Sequence, residues 1–309
     1  MIAKILVTGG SGRLGGYTTP RLLEEGHEVT DFDVVDHPPV TGTRAAFIKG
    51  DLTSLEDCLR ALTYSEADTI VHLGALPGPR EMIKGRARWR TVQVAPEDET
   101  MRVNTMGTYY LLDAARRLGS VKKVVFASSF YTLGLGNRIG DDPFVVEYLP
   151  IDEEHPLRPE DSYGLSKVFG EELLRAYGRA YGITAVAFRL MGVHYPDNPN
   201  SLHKFGVTPD SDPGHVGGPV VTTYQYVDAR DVANAIVLAI NANGLDPFEA
   251  FYLSTDTVYT EPTRSLVARV WPDLDEMAAG IPGTEGIITD AKARKKLGYE
   301  PKYSWREGG

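Results

Sequence analysis

The sequence has 309 residues, 42% hydrophobic and 24% charged, as expected of a globular protein with a sizeable core. Its 42 acidic residues outnumber 32 basic ones, and the net charge of −10 argues against nucleic acid or an anionic membrane as a partner. Cys58 is the single cysteine, which excludes an intramolecular disulfide and a cysteine-based metal site. Because no signal peptide or transmembrane-length apolar run is found, we expect a cytoplasmic protein.

The chain begins with a strand, a glycine-rich turn and a helix. Residues 5–7 predict a buried strand, residues 8–15 the turn, and residues 17–25 a helix that Gly26 ends. Such glycines permit a tight turn, close approach of the backbone to a pyrophosphate and close packing of helix on strand, while the helix N-terminus attracts phosphate. This context predicts a dinucleotide-binding loop. Its expected contacts to the cofactor come from Gly9, Gly12, Arg13, Leu14 and Gly15.

The second predicted strand, residues 27–33, ends in an acid. Asp33 follows Gly15 by 18 residues, close to the spacing expected of a carboxylate that binds the adenosine ribose hydroxyls. Its negative charge would repel a 2′-phosphate, so NAD is favoured over NADP. Asp31 and Asp36 are nearby alternatives for this role.

Strand and helix patterns alternate through the rest of the first half. Further strands are predicted over residues 47–51, 69–74, 123–129 and 183–190. Helices are predicted after a cap at Ser54, over residues 100–118 and over residues 161–181. Strands separated by helices form right-handed crossovers, so we predict an α/β fold with a doubly wound parallel sheet, a Rossmann domain.

The composition of the sequence changes after Met191. Residues 195–219 predict loop, followed by strands at 224–227 and 251–254 and helices at 229–240, 262–270 and 290–297. We therefore predict an NAD-binding Rossmann domain of residues 1–190, to which residues 220–254 return. Residues 191–219 and 255–309 would form a small C-terminal substrate lobe at the carboxyl ends of the strands.

Candidate chemistry lies in the pair Tyr163 and Lys167, which are i,i+4 neighbours on a predicted helix. A phenol is a poor base at neutral pH, but a nearby ammonium and a cationic nicotinamide would lower its pKa. Tyr163 could then accept a carbinol proton as hydride leaves. Ser129, at the end of a predicted strand, could hydrogen-bond the same substrate oxygen. We predict Ser129, Tyr163 and Lys167 as the catalytic residues and no metal site.

Taken together, these motifs make the chain resemble an extended short-chain dehydrogenase/reductase of the NAD-dependent epimerase/dehydratase type. The matching segments are residues 8–15, 50–52, 71–75, 103–108, 127–129, 163–167, 226–233 and 293–299. The resemblance implies further cofactor contacts from three segments. These are Asp51 and Leu52 at the adenine, Leu73, Gly74 and Ala75 beside the cofactor, and Asn104 on the long helix. It also implies that Lys167 holds the nicotinamide ribose, and that His72 is structural.

Departures from the family pattern bear on the substrate. Phe130-Tyr131-Thr132 stands where 4,6-dehydratases of the family carry an acid–base pair. Gly192 stands where many nucleotide-sugar enzymes have an asparagine, and Tyr224 stands where they often have an arginine that binds the diphosphate. We therefore predict an NAD-dependent oxidoreductase that acts at a secondary alcohol or carbonyl of a sugar or sugar acid, resembling uronate dehydrogenases. The alternatives are a nucleotide-sugar epimerase, similar to UDP-hexose 4-epimerases, and a non-catalytic NAD-binding regulator.

Two further expectations concern the substrate lobe and the assembly. Lys204 is the only lysine or arginine between residues 191 and 226, so we expect no tight binding of nucleoside diphosphates unless Arg264 and Arg269 compensate. The helices at 100–118 and 161–181 carry apolar residues beyond the stripe that faces the core. Members of the family commonly pair these two helices with those of a second subunit, so we predict a homodimer. These residues are Met106, Tyr110, Phe169, Leu173 and Tyr177.

Overall fold

The computed structural model describes residues 2–36, 45–80, 96–135, 139, 144–198 and 225–307. In chain order its strands are β1 (Lys4–Thr8), β2 (Glu28–Asp33), β3 (Ala46–Lys49), β4 (Thr69–His72), β5 (Lys123–Ser129), β6 (Thr184–Leu190), β7 (Gly192–His194), β8 (Gln225–Asp228), β9 (Phe248–Leu253) and β10 (Asp256–Thr257). Seven of them form one parallel sheet in the order β3-β2-β1-β4-β5-β6-β9. The predicted α/β class with a doubly wound parallel sheet is confirmed.

Helices cover both faces of this sheet. They are α1 (Gly15–Glu24), α2 (Leu55–Ser65), α3 (Glu99–Met101), α4 (Gly107–Leu118), α5 (Ser162–Tyr181), α6 (Ala229–Asn241), α7 (Thr263–Val270), α8 (Asp275–Ala278) and α9 (Ala291–Leu297). Successive strand residues point to opposite faces, so Ile5 and Val7 pack in the core beneath α1 and α6, while Leu6 packs in the core beneath α2, α4 and α5. Burial on both faces explains why the strands read as continuous apolar runs.

Side-chain caps fix where several helices begin and end. The predicted cap of α2 is confirmed, because Ser54 Oγ accepts a hydrogen bond from the Asp57 amide at 3.1 Å. Asp161 Oδ1 accepts from the amides of Tyr163 and Gly164 at 3.0 and 3.1 Å, and so fixes the start of α5. None of the helices described is long and apolar enough to cross a membrane.

Three features differ from the sequence interpretation. The helix predicted over residues 100–118 contains a π-helical turn at Arg102–Met106 between α3 and α4. The short strands β7 and β10 were not predicted, and they form a second sheet of order β10-β8-β7. The sequence predicts that residues 220–254 return to the Rossmann domain; within them β9 joins the main sheet, whereas β8 belongs to the small sheet, where Tyr226 packs against Val258 and Tyr259.

Candidate active site

The glycine loop between β1 and α1 has no room for a side chain at Gly9 or Gly15. Gly9 has a φ of +73°, and a Cβ there would lie 2.6 Å from the Gly74 amide nitrogen. A Cβ on Gly15 would lie 2.3 Å from the Gly10 carbonyl oxygen. The loop therefore holds β1, the segment after β4 and the start of α1 in close contact, as a dinucleotide cradle requires.

Asp31 and Asp33 both lie against the glycine loop, Asp31 at Gly10 and Asp33 at Ser11, but only Asp33 is not fully buried. Its Oδ2 accepts from the Ser11 amide at 3.1 Å, and its Oδ1 from the Val35 amide at 3.1 Å. Asp31 is fully buried and accepts from the Thr19 hydroxyl at 2.7 Å, whereas Asp36 forms an exposed ion pair with Lys49. The geometry therefore favours Asp33 as the residue that meets the adenosine ribose.

The segments predicted to flank the cofactor lie together at the same sheet edge. Leu52 packs against both Gly74 and Gly107, so closely that an added Cβ would lie 2.7 and 3.0 Å from its side chain. Asp51, just before it, is exposed, and its Oδ1 accepts from the Thr53 amide at 2.8 Å. These contacts place the loops after β3 and β4 side by side beyond the carboxyl ends of the strands.

A buried hydrogen-bond chain runs through His72 at the end of β4. The Gly74 amide donates to Thr8 Oγ1 at 3.2 Å, and Thr8 Oγ1 lies 2.6 Å from His72 Nδ1. His72 Nε2 lies 2.9 Å from Thr108 Oγ1, which donates to the Asn104 carbonyl at 2.6 Å. Burial lowers the pKa of His72 to about 3, so the ring is neutral. These contacts give His72 a structural role and link the cofactor loops to the π-helical turn.

Asn104 lies in this turn, and its amide group is held by protein contacts. Its Nδ2 donates to the Leu76 carbonyl at 3.1 Å and to Ser166 Oγ at 3.0 Å, and its Oδ1 accepts from the Leu76 amide at 2.8 Å. Asn104 therefore ties the segment after β4, which includes Leu73 and Ala75, to helix α5. A direct contact between Asn104 and the cofactor stays a prediction.

The three predicted catalytic residues converge at the end of β5. The Tyr163 ring stands edge-on to Tyr131 at 5.6 Å between centroids. Ser129 Oγ accepts from the Tyr131 amide at 3.2 Å, which fixes its orientation. Burial raises the pKa of Tyr163 to about 12, against a lowering effect of the neighbouring Ser129 side chain.

Lys167 completes the set one turn further along α5. Its Nζ donates to the Ala127 carbonyl at 2.7 Å and lies 5.7 Å from the centroid of the Tyr163 ring. Burial lowers the pKa of Lys167 to about 7, while Glu171 raises it. In the protein alone burial dominates both pKa values, so the lowering of the phenol pKa that we expect from the ammonium and a bound nicotinamide stays a prediction.

Sequence reasoning missed the segment that follows β7. The Arg13 guanidinium lies 6.0 Å from the centroid of the Tyr195 ring, and the Tyr17 hydroxyl donates to Asp197 Oδ1 at 2.6 Å. Tyr195 also acts electrostatically on Tyr163. The segment thus connects the glycine loop to the candidate catalytic tyrosine. Its only sequence signal is Tyr195 and Asp197, in a stretch that the sequence predicts to be loop.

A cavity of about 700 Å³ opens at the carboxyl end of β9. Its charged lining comprises Asp256, Glu285, Asp290 and Arg294. Arg294 is bound to Asp290 at 2.7 Å, so the basic group in the lining is already neutralised. Tyr224, Lys204 and the polar residues between 199 and 224 lie outside the described part of the chain.

Sequence comparison finds relatives with two kinds of activity. A putative UDP-glucose 4-epimerase of Methanocaldococcus jannaschii is 28% identical over 246 residues, which cover 77% of this chain and 73% of that protein. A uronate dehydrogenase of Pseudomonas syringae pv. tomato is 30% identical over 197 residues, covering 64% of this chain and 62% of that protein.

Solved structures share the fold at low sequence identity. A mutated uronate dehydrogenase has a TM-score of 0.65 and 24% identity, with 100% of this chain and 86% of that one covered. A UDP-glucose 4-epimerase of Thermus thermophilus in complex with NAD has a TM-score of 0.65 and 23% identity, with 98% and 96% covered.

A protein-family model matches residues 5–254 of this chain. Its description is NAD dependent epimerase/dehydratase family. The match includes the glycine loop, Asp33, and the residues Ser129, Tyr163 and Lys167. The chain belongs to the NAD dependent epimerase/dehydratase family, and it is an NAD-dependent enzyme of the extended short-chain dehydrogenase/reductase type.

Proposed function

We propose that this enzyme transfers hydride between NAD and a secondary alcohol or carbonyl of a free sugar or sugar acid. The observation that carries the proposal is the convergence of Ser129, Tyr163 and Lys167 beside the glycine loop, at the carboxyl ends of β1, β4 and β5. A hydroxyl, a phenol and an amine on one wall of a cofactor site suit proton transfer coupled to hydride transfer.

In this mechanism each protein group has a distinct task. When bound, NAD supplies the hydride acceptor and a positively charged nicotinamide ring. The glycine loop and Asp33 bind the adenosine and pyrophosphate, and Ser129 hydrogen-bonds the substrate oxygen. Tyr163 accepts the carbinol proton in oxidation and donates it in reduction. Its pKa must fall from about 12, which the Lys167 ammonium and the nicotinamide charge would accomplish together.

The cavity at the end of β9 supports a compact substrate. Ser129 pairs with Leu190, and Leu190 with Leu253, so the residues that follow β9 lie two strand spacings, roughly 10 Å, from Ser129. A nucleotide attached to the reacting sugar could reach that distance. However, with Arg294 paired to Asp290 and Arg306 paired to Asp256, the charge that remains in the lining is the carboxylate of Glu285, which disfavours a diphosphate.

The two arginines that could compensate are also engaged. Arg264 binds Asp275 through two bonds of 2.9 Å, and Arg269 binds Glu261 at 2.7 Å. A phosphate at either arginine would compete with a carboxylate that already offsets the charge of the guanidinium. This favours a free sugar or sugar acid over a nucleotide sugar.

The second candidate function is epimerisation of a nucleotide sugar. It is favoured by the UDP-glucose 4-epimerase of Streptococcus mutans, which is 27% identical over 337 residues that cover 97% of this chain and 92% of that protein. In an epimerase the hydride would return to the other face of the same substrate, and NADH would not accumulate.

Calorimetry of the NAD-loaded protein with UDP separates these functions. We expect no UDP binding at micromolar concentration, and NADH formation from free hexoses or hexuronates. Micromolar binding of UDP, with interconversion of UDP-sugars and no net NADH, would instead establish the epimerase.

We also propose that the enzyme is a homodimer formed through α4 and α5. Tyr177 is buried in the core of its own chain, and Tyr110 and Leu173 are only half-buried against that core, so they contribute less to the predicted surface. The exposed large apolar side chains on these two helices and the preceding π-helical turn are Met106, Tyr109, Leu118, Phe169 and Tyr181, of which Met106, Tyr109 and Phe169 are 39%, 39% and 42% accessible. Cytoplasmic location stays a prediction from the sequence.

A further inference from the structure

A buried ionic cluster lies directly behind the candidate catalytic residues. Glu171 and Arg189 form a two-bond ion pair, with Arg189 Nε at 3.0 Å from Glu171 Oε1 and Arg189 Nη2 at 2.8 Å from Oε2. Ser128 Oγ donates to Glu171 Oε1 at 2.6 Å. The three residues are 1–3% accessible, so the carboxylate is held by partners rather than by water.

Each member of the cluster lies on an element of the active site or beside one. Ser128 precedes Ser129 on β5, and Arg189 pairs directly with Ser128 from β6. Glu171 follows Lys167 by four residues on α5, so both side chains lie on the same face of the helix. The cluster therefore joins the helix that carries Tyr163 and Lys167 to the strand that carries Ser129.

Among the described residues, the buried Lys167 side chain has few charged neighbours. From α5 it faces Tyr163 and Glu171, and from β4 the neutral ring of His72. From β5 it faces the Ala127 carbonyl and, at 4.9 Å, the Phe126 ring. Burial penalises the ammonium, and Glu171 is the charged group that opposes this penalty in setting the Lys167 pKa.

We propose that Glu171, fixed by Arg189 and Ser128, is a positioning residue that keeps Lys167 in its ammonium form at the active site. Its importance for turnover rests on the proposed function, because that function assigns Lys167 the task of stabilising the Tyr163 phenolate. The effect of Glu171 on the charge of Lys167 depends on neither substrate nor cofactor.

The proposal is tested by titrating Lys167 in the intact protein, using NMR of lysines labelled with ¹³C at Cε. The Lys167→Met variant identifies the signal. In Glu171→Gln we expect the midpoint of Lys167 to fall by about one pH unit or more, since a buried anion is lost and Arg189 remains. Arg189→Gln leaves the carboxylate in place, and the midpoint should not fall.

Glu249→Gln is the matched control for removal of a buried carboxylate. Glu249 is 4% accessible and pairs with Lys292 at 2.9 Å and with Lys296, but it lies on β9. The Glu249→Gln substitution should destabilise the protein without moving the titration midpoint of Lys167. If Glu171→Gln does not fold, the double variant Glu171→Gln/Arg189→Gln removes both charges, and it should still lower the midpoint.

Activity supplies a second, separate readout. In Glu171→Gln, loss of the ammonium should raise the phenol pKa, so the rising limb of kcat against pH should move to higher pH. A folded Glu171→Gln or double variant with an unmoved Lys167 midpoint would overturn the proposal. A lowered midpoint without a change in the pH profile would leave the effect on Lys167 intact and contradict the role of Lys167 in the proposed function.

Discussion

At the scale of single residues, Tyr163 carries the proposed chemistry. Its ring packs against Tyr131 and its hydroxyl is the proposed proton acceptor, so Tyr163→Phe removes the proton-transfer group and keeps the packing. We expect kcat to fall by about 10²–10⁴-fold with NAD affinity nearly unchanged. Tyr181→Phe, at the exposed end of the same helix, is the control and should be neutral. More than about a tenth of normal activity in Tyr163→Phe would refute the general-base assignment.

Cofactor choice depends on Asp33. Its carboxylate lies against the glycine loop, where it would accept hydrogen bonds from ribose hydroxyls and repel a 2′-phosphate. Titrations should show that NAD binds much more tightly than NADP, and that Asp33→Ala reduces this preference about tenfold or more. Asp36→Ala is the control, since Asp36 is 75% exposed and pairs with Lys49. Equal affinities for NAD and NADP in the unmodified protein would contradict the assignment.

At the scale of secondary-structure elements, the C-terminus of α6 depends on a lysine from β5. Lys123 Nζ donates to the carbonyls of Ala239, Ile240 and Ala242 at 2.9, 2.7 and 2.8 Å. Lys123→Met should lower the free energy of unfolding by about 2 kcal/mol in urea titrations, because several charge-assisted bonds are lost. The adjacent Lys122 makes one exposed bond to the Gly119 carbonyl, so Lys122→Met should change it by less than about 0.5 kcal/mol.

The elements that could be predicted from sequence are those with local signals. The strand over residues 123–129 coincides with β5, and Ser54 caps α2, because apolar runs and capping side chains act within a few residues. In contrast, β7 exists only because Gly192–His194 pairs with β8 more than thirty residues later, and no local pattern indicates that pairing. Spacing predicts Asp33 and the pair Tyr163 and Lys167 as site residues, whereas the pKa of Tyr163 depends on burial, which spacing does not reveal.

At the scale of the whole molecule, the exposed apolar side chains on α4 and α5 predict self-association. Phe169→Glu places a charge in the proposed interface and should convert a dimer into a monomer in sedimentation at micromolar concentration. Val145→Glu, on an apolar residue that is 57% exposed outside these helices, is the control and should remain dimeric. If the unmodified protein sediments only as a monomer, the homodimer is wrong.

The central claim is net hydride transfer between NAD and a free sugar or sugar acid, with Tyr163 as the proton acceptor. The most direct measurement is NADH absorbance when the enzyme and NAD are mixed with free hexoses, hexuronates and UDP-glucose in parallel, for the unmodified protein and for Tyr163→Phe. We predict that NADH accumulates with at least one free sugar or hexuronate, and that Tyr163→Phe loses this activity. Absence of NADH with every free sugar and hexuronate, together with interconversion of UDP-sugars, would contradict the account.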